Sequence, residues 1–131
     1  MKILITGSNG LLGQKLLHKL RVDNLVDLIA TSRGENRVSE QSNYIYIDLD
    51  ITDETAVAQI IAEQNPDVVI NTAAMTNVDL CEEEKSECDD LNVNAVQYLA
   101  DACEKIEAHL IHISTDFIFD GEDGPYKEDD E

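Results

Sequence analysis

The stretch Lys2-Ile-Leu-Ile-Thr-Gly-Ser-Asn-Gly-Leu-Leu-Gly13 decides the fold of this chain of 131 residues. A short apolar run leads directly into glycines at positions 7, 10 and 13. Leucines at positions 12, 16 and 20 follow one helical turn apart on a single face. This order of strand, glycine turn and helix is typical of loops that place a helix N-terminus against the pyrophosphate of a dinucleotide.

The three glycines have different roles in such a loop. Gly7 permits a tight turn out of the strand, Gly10 lets the backbone approach the phosphates, and Gly13 lets the helix pack closely on the sheet. The spacing is G-x-x-G-x-x-G rather than G-x-G-x-x-G. The sequence therefore predicts a dinucleotide-binding loop, whose contacts would come from Gly7, Asn9, Gly10, Leu11, Leu12 and Gly13.

The composition argues against some classes of binding partner. A formal net charge of -19 would repel nucleic acid or an anionic membrane, and no apolar run reaches the roughly 18 residues of a membrane span. An anionic dinucleotide is compatible with this charge if the acidic clusters, such as Glu82–Glu84 and Asp89-Asp90, lie far from the loop. We expect Cys81, Cys88 and Cys103 to be buried or half-buried thiols and the protein to be cytoplasmic, because no signal peptide is visible.

Beyond the loop, short apolar runs alternate with helical patterns. Such alternation indicates βαβ units, so we predict an α/β fold: a Rossmann-type doubly wound parallel sheet with strand order 3-2-1-4-5 and helices on both faces. Residues 1–131 would form one domain. The predicted strands are 2–6, 26–31, 44–48, 67–72 and 109–114, and the predicted helices are 11–21, 53–64, 78–86 and 87–105.

Ligands of such sheets bind beyond the carboxyl ends of the strands, which here include Ser32, Arg33, Asp48 and Leu49. An arginine and small hydroxyls after the second strand suit a 2′-phosphate, so NADP(H) is favoured over NAD(H), although NAD(H) stays open. The alternative for Arg33 is an ordinary surface arginine at a loop start. Asp48 could accept a hydrogen bond from the adenine amino group, or it could simply cap a turn.

Three segments together resemble a known family. They are the glycine loop, Asn71-Thr-Ala-Ala-Met-Thr-Asn-Val-Asp79, and Ile113-Ser-Thr-Asp-Phe-Ile-Phe-Asp-Gly121. The chain resembles the extended short-chain dehydrogenases, and within them the dTDP-4-dehydrorhamnose reductases and the related beta subunit of methionine adenosyltransferase. The resemblance runs along the whole chain.

This resemblance implies roles for individual residues. Ala73, Ala74 and Met75 would pass beside the cofactor, Thr76 and Val78 would border a sugar nucleotide, and Asn92 would support the hydrogen bonds of the active site. Thr115 would be the catalytic hydroxyl that polarises the substrate ketone, with Asp116 orienting substrate or loop. A hydroxyl at the carboxyl edge of the sheet is also well placed to donate to a developing alkoxide. The alternative is that Thr115 only satisfies backbone groups where the strand ends.

The resemblance also implies what is missing. The family uses a Tyr-x-x-x-Lys motif for reduction, and this chain has none. We therefore expect it to be the cofactor-binding half of an oxidoreductase, stopping before that motif and the substrate-binding lobe, and inactive alone. The implied reaction is NADPH-dependent reduction of a 4-keto-6-deoxy sugar nucleotide in dTDP-rhamnose synthesis. The alternatives are an NAD(P)-dependent epimerase or dehydratase and a non-catalytic NADP-binding regulatory subunit.

Further features stay open at this point. Some family members hold a metal through a glutamate on the first helix, where this chain has Lys15, so no metal is expected. The identity of the sugar is open, and so is the oligomeric state, with a homodimer as one option.

Overall fold

The computed structural model describes residues 1–40, 42–115 and 124–127. The prediction for Asp116 therefore lies outside the described residues. Among the described residues the strands are β1 (Lys2–Thr6), β2 (Asp27–Ser32), β3 (Ile45–Asp48), β4 (Val68–Asn71) and β5 (His109–His112). The helices are α1 (Leu11–Leu20), α2 (Glu54–Gln64), α3 (Val78–Glu83), α4 (Lys85–Asp89), a π-helical segment (Asp90–Asn94) and α5 (Ala95–Lys105).

The five strands form one parallel sheet in the order β3-β2-β1-β4-β5. β1 lies in the centre, with Ile5 opposite Ala30 of β2 and Ile70 of β4. The predicted doubly wound Rossmann-type sheet is thus confirmed. Because the strands are parallel, their carboxyl ends all meet at one edge, and that edge carries the glycine loop.

Side-chain alternation along the strands builds a core on each face of the sheet. Leu4 and Val69 face α2 and α5, where they pack with Ile61 and Leu99. The neighbouring strand residues, such as Ile3 and Ile5, face the other side and pack against Leu17 of α1. Burial on both faces explains why the strands read as continuous apolar runs in the sequence.

Local signals set the ends of α2. The Asp53 carboxylate accepts a hydrogen bond from the backbone N–H of Ala56 at 3.0 Å, which caps the helix N-terminus. Asn65 adopts the left-handed conformation at φ 45°, and its N–H donates to Ile61 O at 2.9 Å. The helix predicted for residues 53–64 therefore forms with Asp53 as its cap.

The helical region between β4 and β5 differs from the prediction. In place of a single helix over residues 87–105, α4 runs into the π-helical segment Asp90–Asn94 and then into α5. Before it, α3 ends at Glu83, and the backbone of the next residue, Glu84 (φ -115°, ψ 55°), is not helical. The chain therefore turns between α3 and α4 instead of continuing as one helix.

This turn overturns the expectation of three free thiols. Cys81 on α3 and Cys88 on α4 form a disulfide, with their Cα atoms 5.2 Å apart. In one continuous helix, residues seven apart would lie about 10 Å apart along the axis, too far to bond. Cys103 is a buried free thiol, as expected, and burial raises its pKa.

None of the helices in the described part of the chain is long and apolar enough to cross a membrane.

Candidate functional site

A cleft of about 460 Å³ opens at the carboxyl edge of the sheet. It lies between the glycine loop, the segments that follow β2 to β4, and the helical region before α5. Its lining residues are Gly7, Gly10, Ser32, Arg33, Leu49, Asp50, Ile51, Thr52, Thr72, Ala73, Ala74, Met75, Glu87, Asp90 and Leu91.

The glycine loop folds tightly against the segment after β4. Gly7 has φ 68°, a conformation that glycine adopts without strain, and a Cβ there would lie 2.7 Å from the Ala73 backbone nitrogen. A Cβ on Gly13 would lie 2.4 Å from the carbonyl oxygen of Gly7. The predicted close approach at Gly13 is thus present, but the neighbour is the backbone of the loop itself.

The N-terminus of α1 faces this loop without a cap. Gly10 occupies the N-cap position, no side chain accepts from the first turn, and that turn contains no acidic residue. α2 and α3, by contrast, are capped by the side chains of Asp53 and Asn77. The partial positive charge at the start of α1 is therefore left for an external acceptor, and an anion fits there.

A row of three polar side chains lies beneath the cleft, and the two on β1 and β4 are buried while the one on β5 is exposed. Thr6, Asn71 and His112 are neighbours across β1, β4 and β5. The Thr6 hydroxyl donates to Asn71 Oδ1, which also accepts from the Ala73 N–H at 3.1 Å, and Asn71 Nδ2 lies 3.1 Å from His112 Nδ1. Asn71 is 1% exposed, so these bonds satisfy a fully buried amide. The row fixes the backbone at Ala73, where the chain enters the cleft.

Asn92 holds the next part of the cleft wall. Its Oδ1 accepts from the N–H of Met75 at 2.8 Å, and its Nδ2 donates to the carbonyl of Met75 at 2.9 Å. Asn92 lies in the π-helical segment, a type of irregularity that is frequent at functional sites. The geometry makes Asn92 a support for the backbone of Met75.

One arginine lies at the cleft mouth beside a carboxylate. Arg33 Nη1 is 3.6 Å from Asp50 Oδ2, and the Arg33 side chain is 81% exposed. Burial opposes the ionisation of Asp50, but hydrogen bonds from the Thr52 N–H and hydroxyl, together with Arg33, outweigh it. The pKa of Asp50 is therefore lowered, and its carboxylate is charged at neutral pH.

The segment between β2 and β3 joins the glycine loop through side chains. Asn9 Nδ2 donates to Glu35 O at 3.0 Å, and Asp48 Oδ1 accepts from the Gly34 N–H at 2.7 Å. The Tyr46 hydroxyl donates to Gly34 O at 2.6 Å, and burial raises the pKa of Tyr46, so this phenol is neutral at physiological pH.

The predicted site residues fall into two groups. Gly7, Gly10, Ser32, Arg33, Leu49, Ala73, Ala74 and Met75 line the cleft together, with Asn92 behind Met75. Others lie outside the lining: Asn9 and Asp48 bind the β2–β3 segment, Leu11 and Leu12 are 82% and 44% exposed, and Val78 is 66% exposed. Thr76 is exposed before α3, and Thr115 is exposed just beyond β5.

The cleft also contains residues that the sequence analysis did not select: Asp50, Ile51, Thr52, Thr72, Glu87, Asp90 and Leu91. The expectation that the acidic clusters lie far from the loop is wrong for Asp90, because the π-helical segment brings it to the cleft wall. A signal was available for Asp50 and Thr52, which follow the end of β3 at the ligand edge, and for Thr72, which follows the end of β4.

No group of three or more histidine, cysteine, aspartate or glutamate side chains in residues 1–40, 42–115 and 124–127 could hold a metal ion.

Comparison with known proteins agrees with this architecture. The family model described as RmlD substrate binding domain matches residues 1–131. The dTDP-4-dehydrorhamnose reductase of Aggregatibacter actinomycetemcomitans is 42% identical over 131 residues, which is 98% of this chain and 40% of that protein. The chain thus spans about two fifths of the length of that relative.

Solved structures with similar folds include proteins named dTDP-4-dehydrorhamnose reductase. A hypothetical dTDP-4-dehydrorhamnose reductase from Sulfolobus tokodaii superposes with a TM-score of 0.85 at 40% identity, covering 99% of this chain and 45% of that one. A dTDP-4-dehydrorhamnose reductase from Clostridium acetobutylicum gives a TM-score of 0.81 at 39% identity, covering 100% of this chain and 42% of that one. The match over the whole chain, on a Rossmann-type sheet with its glycine loop, shows that this chain belongs to the RmlD substrate binding domain family.

Proposed function

We propose that this chain is the cofactor-binding part of an NADPH-dependent reductase that acts on a 4-keto-6-deoxy sugar nucleotide, as in dTDP-rhamnose synthesis. The observation that carries the proposal is the cleft at the carboxyl edge of the sheet, with the uncapped start of α1 on one side and Arg33 at its mouth. The relatives that are 39–42% identical, named dTDP-4-dehydrorhamnose reductases, support the substrate class.

The residues of the cleft fit a dinucleotide. Gly7 and Gly13 leave no room for a Cβ, which lets the loop fold tightly and brings the start of α1 to the cleft. The free N–H groups of the first turn would donate hydrogen bonds to a pyrophosphate, and Arg33 would bind a 2′-phosphate. The small side chains of Ala73 and Ala74 leave the cleft wall open for close contact. NAD(H) has no 2′-phosphate, so it could bind the same cleft without a contact from Arg33.

When bound, the nicotinamide supplies the hydride for reduction at C4 of the sugar. The chain's own part is to bind and orient: Asn92 fixes the backbone at Met75, and Thr115 would donate a hydrogen bond to the ketone oxygen. Thr76 and Val78 would border the sugar nucleotide, and Asp116 would orient substrate or loop. Because the chain contains no Tyr-x-x-x-Lys motif, we propose that residues 1–131 alone do not turn over substrate. Cytoplasmic location and homodimer formation stay predictions.

The cofactor part of the proposal is tested by calorimetric titration of NADPH and NADH into the protein and its Arg33→Ala variant. We expect NADPH to bind the parent protein more tightly, and the variant to lose about tenfold in NADPH affinity while NADH is little affected, because one charge-assisted contact is removed. Lys19→Ala is the matched control, since it removes one positive charge from the exposed last turn of α1.

Each outcome has a separate meaning. No binding of either cofactor would overturn the proposed cofactor site, and equal binding of both to parent and variant would overturn the role of Arg33. The substrate class is tested in a protein that contains this chain together with the Tyr-x-x-x-Lys motif. NADPH oxidation that depends on a 4-keto-6-deoxy sugar nucleotide supports the reductase; epimerisation, dehydration or no turnover favours the alternatives.

A further inference from the structure

The Tyr46 hydroxyl lies directly beneath the backbone that carries Arg33. It donates to the carbonyl of Gly34 at 2.6 Å and lies 3.1 Å from the carbonyl of Ser32. Ser32 and Gly34 are the two neighbours of Arg33, so a single hydroxyl is anchored to the chain on both sides of the arginine. The hydroxyl also accepts from Asn9 Nδ2 at 3.4 Å.

Asn9 ties the same segment to the glycine loop. Its Nδ2 donates to Glu35 O at 3.0 Å, and its Oδ1 accepts from the Arg37 N–H at 2.9 Å. Its backbone carbonyl accepts from Gln14 Nε2 of α1 at 2.8 Å. The pyrophosphate side and the Arg33 side of the cleft are therefore connected by side-chain hydrogen bonds.

The backbone at Gly34 needs such anchoring. Gly34 has φ 80°, with open space around the position of a Cβ, and its N–H donates to Asp48 Oδ1 at 2.7 Å. A glycine without packing contacts adopts many conformations of similar energy, so its geometry is set by the hydrogen bonds it makes. Tyr46 and Asp48, both on β3, hold its carbonyl and its N–H respectively.

We propose that Tyr46 is a positioning residue that sets the preference for NADPH over NADH by fixing the backbone on both sides of Arg33. The inference rests on the proposed function of Arg33. The Arg33 side chain is 81% exposed and gains little from its own packing. A backbone held in advance reduces the conformational freedom that is lost when the guanidinium meets a 2′-phosphate. Tyr46 would not touch the cofactor, and its effect would be confined to the ligand that carries the 2′-phosphate.

The test is calorimetric titration of NADPH and NADH into the Tyr46→Phe variant of the protein. We expect NADPH affinity to fall about threefold to tenfold and NADH affinity to stay within about twofold, so the preference ratio falls. In the Arg33→Ala background, Tyr46→Phe should have no further effect on NADPH, because the two residues act through one contact. Tyr98→Phe is the matched control, a half-buried tyrosine of α5 that packs on the core.

A second variant perturbs the same backbone without touching Tyr46. Gly34→Ala places a methyl group in open space at a positive φ, which disfavours the present backbone conformation. It should lower the NADPH preference in the same way, and its exposed position spares the core. Thermal unfolding of each variant is recorded so that affinity is compared between folded proteins.

The outcomes separate this inference from the proposed function. Equal losses for NADPH and NADH in Tyr46→Phe would show a merely structural role and overturn the inference. An unchanged preference ratio in Tyr46→Phe would overturn it as well, whatever Gly34→Ala does, while a lost preference in Arg33→Ala would leave the cofactor proposal intact. If Arg33→Ala keeps the full preference, the proposed role of Arg33 fails, and the inference falls with it.

Discussion

Replacing Gly13 by alanine should destabilise the protein, against the usual effect of this substitution in a helix. Gly13 is buried in the first turn of α1. Inside a helix, alanine is favoured over glycine by about 1 kcal/mol. At this position, however, the new Cβ would lie 2.4 Å from the carbonyl oxygen of Gly7 and 2.7 Å from the Cα of Ser8. Both are backbone atoms, so no side chain can move aside to relieve the contact.

The magnitude follows from these opposing effects. Overpacking of this kind typically destabilises a protein by about 1–3 kcal/mol. Because the backbone here is rigid, we take the upper end of that range, about 3 kcal/mol. Subtracting the helix preference of about 1 kcal/mol leaves a net loss of about 2 kcal/mol in the free energy of unfolding. The midpoint of thermal unfolding should then fall by about 6–10 °C for a chain of this size. Cofactor binding should weaken too, because the loop must shift away from α1.

The assay is urea unfolding followed by circular dichroism, with the free energy extrapolated to water. Gly10→Ala is the graded comparison, since its Cβ would lie 3.2 Å from Gly7 O and needs only a small adjustment. Lys15→Ala on the exposed face of α1 reports the helix propensity alone. A Gly13→Ala protein as stable as the parent, or more stable, would refute the reasoning, because it would mean that the backbone of the loop moves away from the new Cβ at no cost in free energy.

Two further predictions concern the acid range and the disulfide. Folding lowers the pKa of Asp50, so its ion pair and hydrogen bonds stabilise the protein at pH values above the ordinary pKa of about 3.9. This stabilisation is lost as the pH falls through the lowered pKa of the folded protein. Asp50→Asn should therefore lower the free energy of unfolding by less than about 1 kcal/mol at pH 7, by urea unfolding, and leave it unchanged in strong acid; a persistent difference there would contradict the charge effect. The disulfide between Cys81 and Cys88, seven residues apart, should contribute about 2 kcal/mol by restricting the unfolded chain. The double serine variant should unfold like the reduced parent protein in urea, and equal stability of the oxidised and reduced parent would contradict this.

Much of the fold could be predicted because it depends on local pattern. The apolar runs predicted all five strands, and the glycine loop predicted where the ligand edge of the sheet would lie. The helix predicted over residues 53–64 agrees with α2, because its ends are set by the Asp53 cap and the left-handed Asn65, which act within a single turn. The strand order then followed from the right-handed crossovers that βαβ units require.

The remaining features depend on where distant segments meet. The disulfide forms only because the chain turns at Glu84, and no spacing rule for cysteines indicates such a turn. Glu87 and Asp90 reach the cleft through the start of α4 and the π-helical segment, which a hydrophobic period of 3.6 residues cannot distinguish from a regular helix. The Asn9 side chain binds the β2–β3 segment, which the fold brings alongside the glycine loop, and its predicted contact with the cofactor stays a prediction.

The acidic wall of the cleft leads to a prediction about salt. Asp50, Glu87 and Asp90 line the cleft with Arg33 as the cation among the lining residues, and the whole chain has a net charge of -19. The pyrophosphate of NADH should therefore be repelled at long range and attracted only at short range by the N–H groups of α1. Salt screens the long-range repulsion, since the Debye length falls from about 30 Å at 0.01 M to about 8 Å at 0.15 M. Short contacts with the helix N-terminus are screened much less.

NADH affinity should accordingly rise about twofold to fivefold between about 0.01 M and 0.15 M salt, as measured by titration calorimetry. NADH is the right probe because it lacks the 2′-phosphate, so attraction to Arg33 contributes little. Asp90→Asn removes one lining carboxylate, so it should raise the affinity at low salt and reduce the salt effect. If NADH affinity instead falls as salt is added, cations and not backbone dipoles dominate pyrophosphate binding, and the uncapped start of α1 cannot be its main anchor.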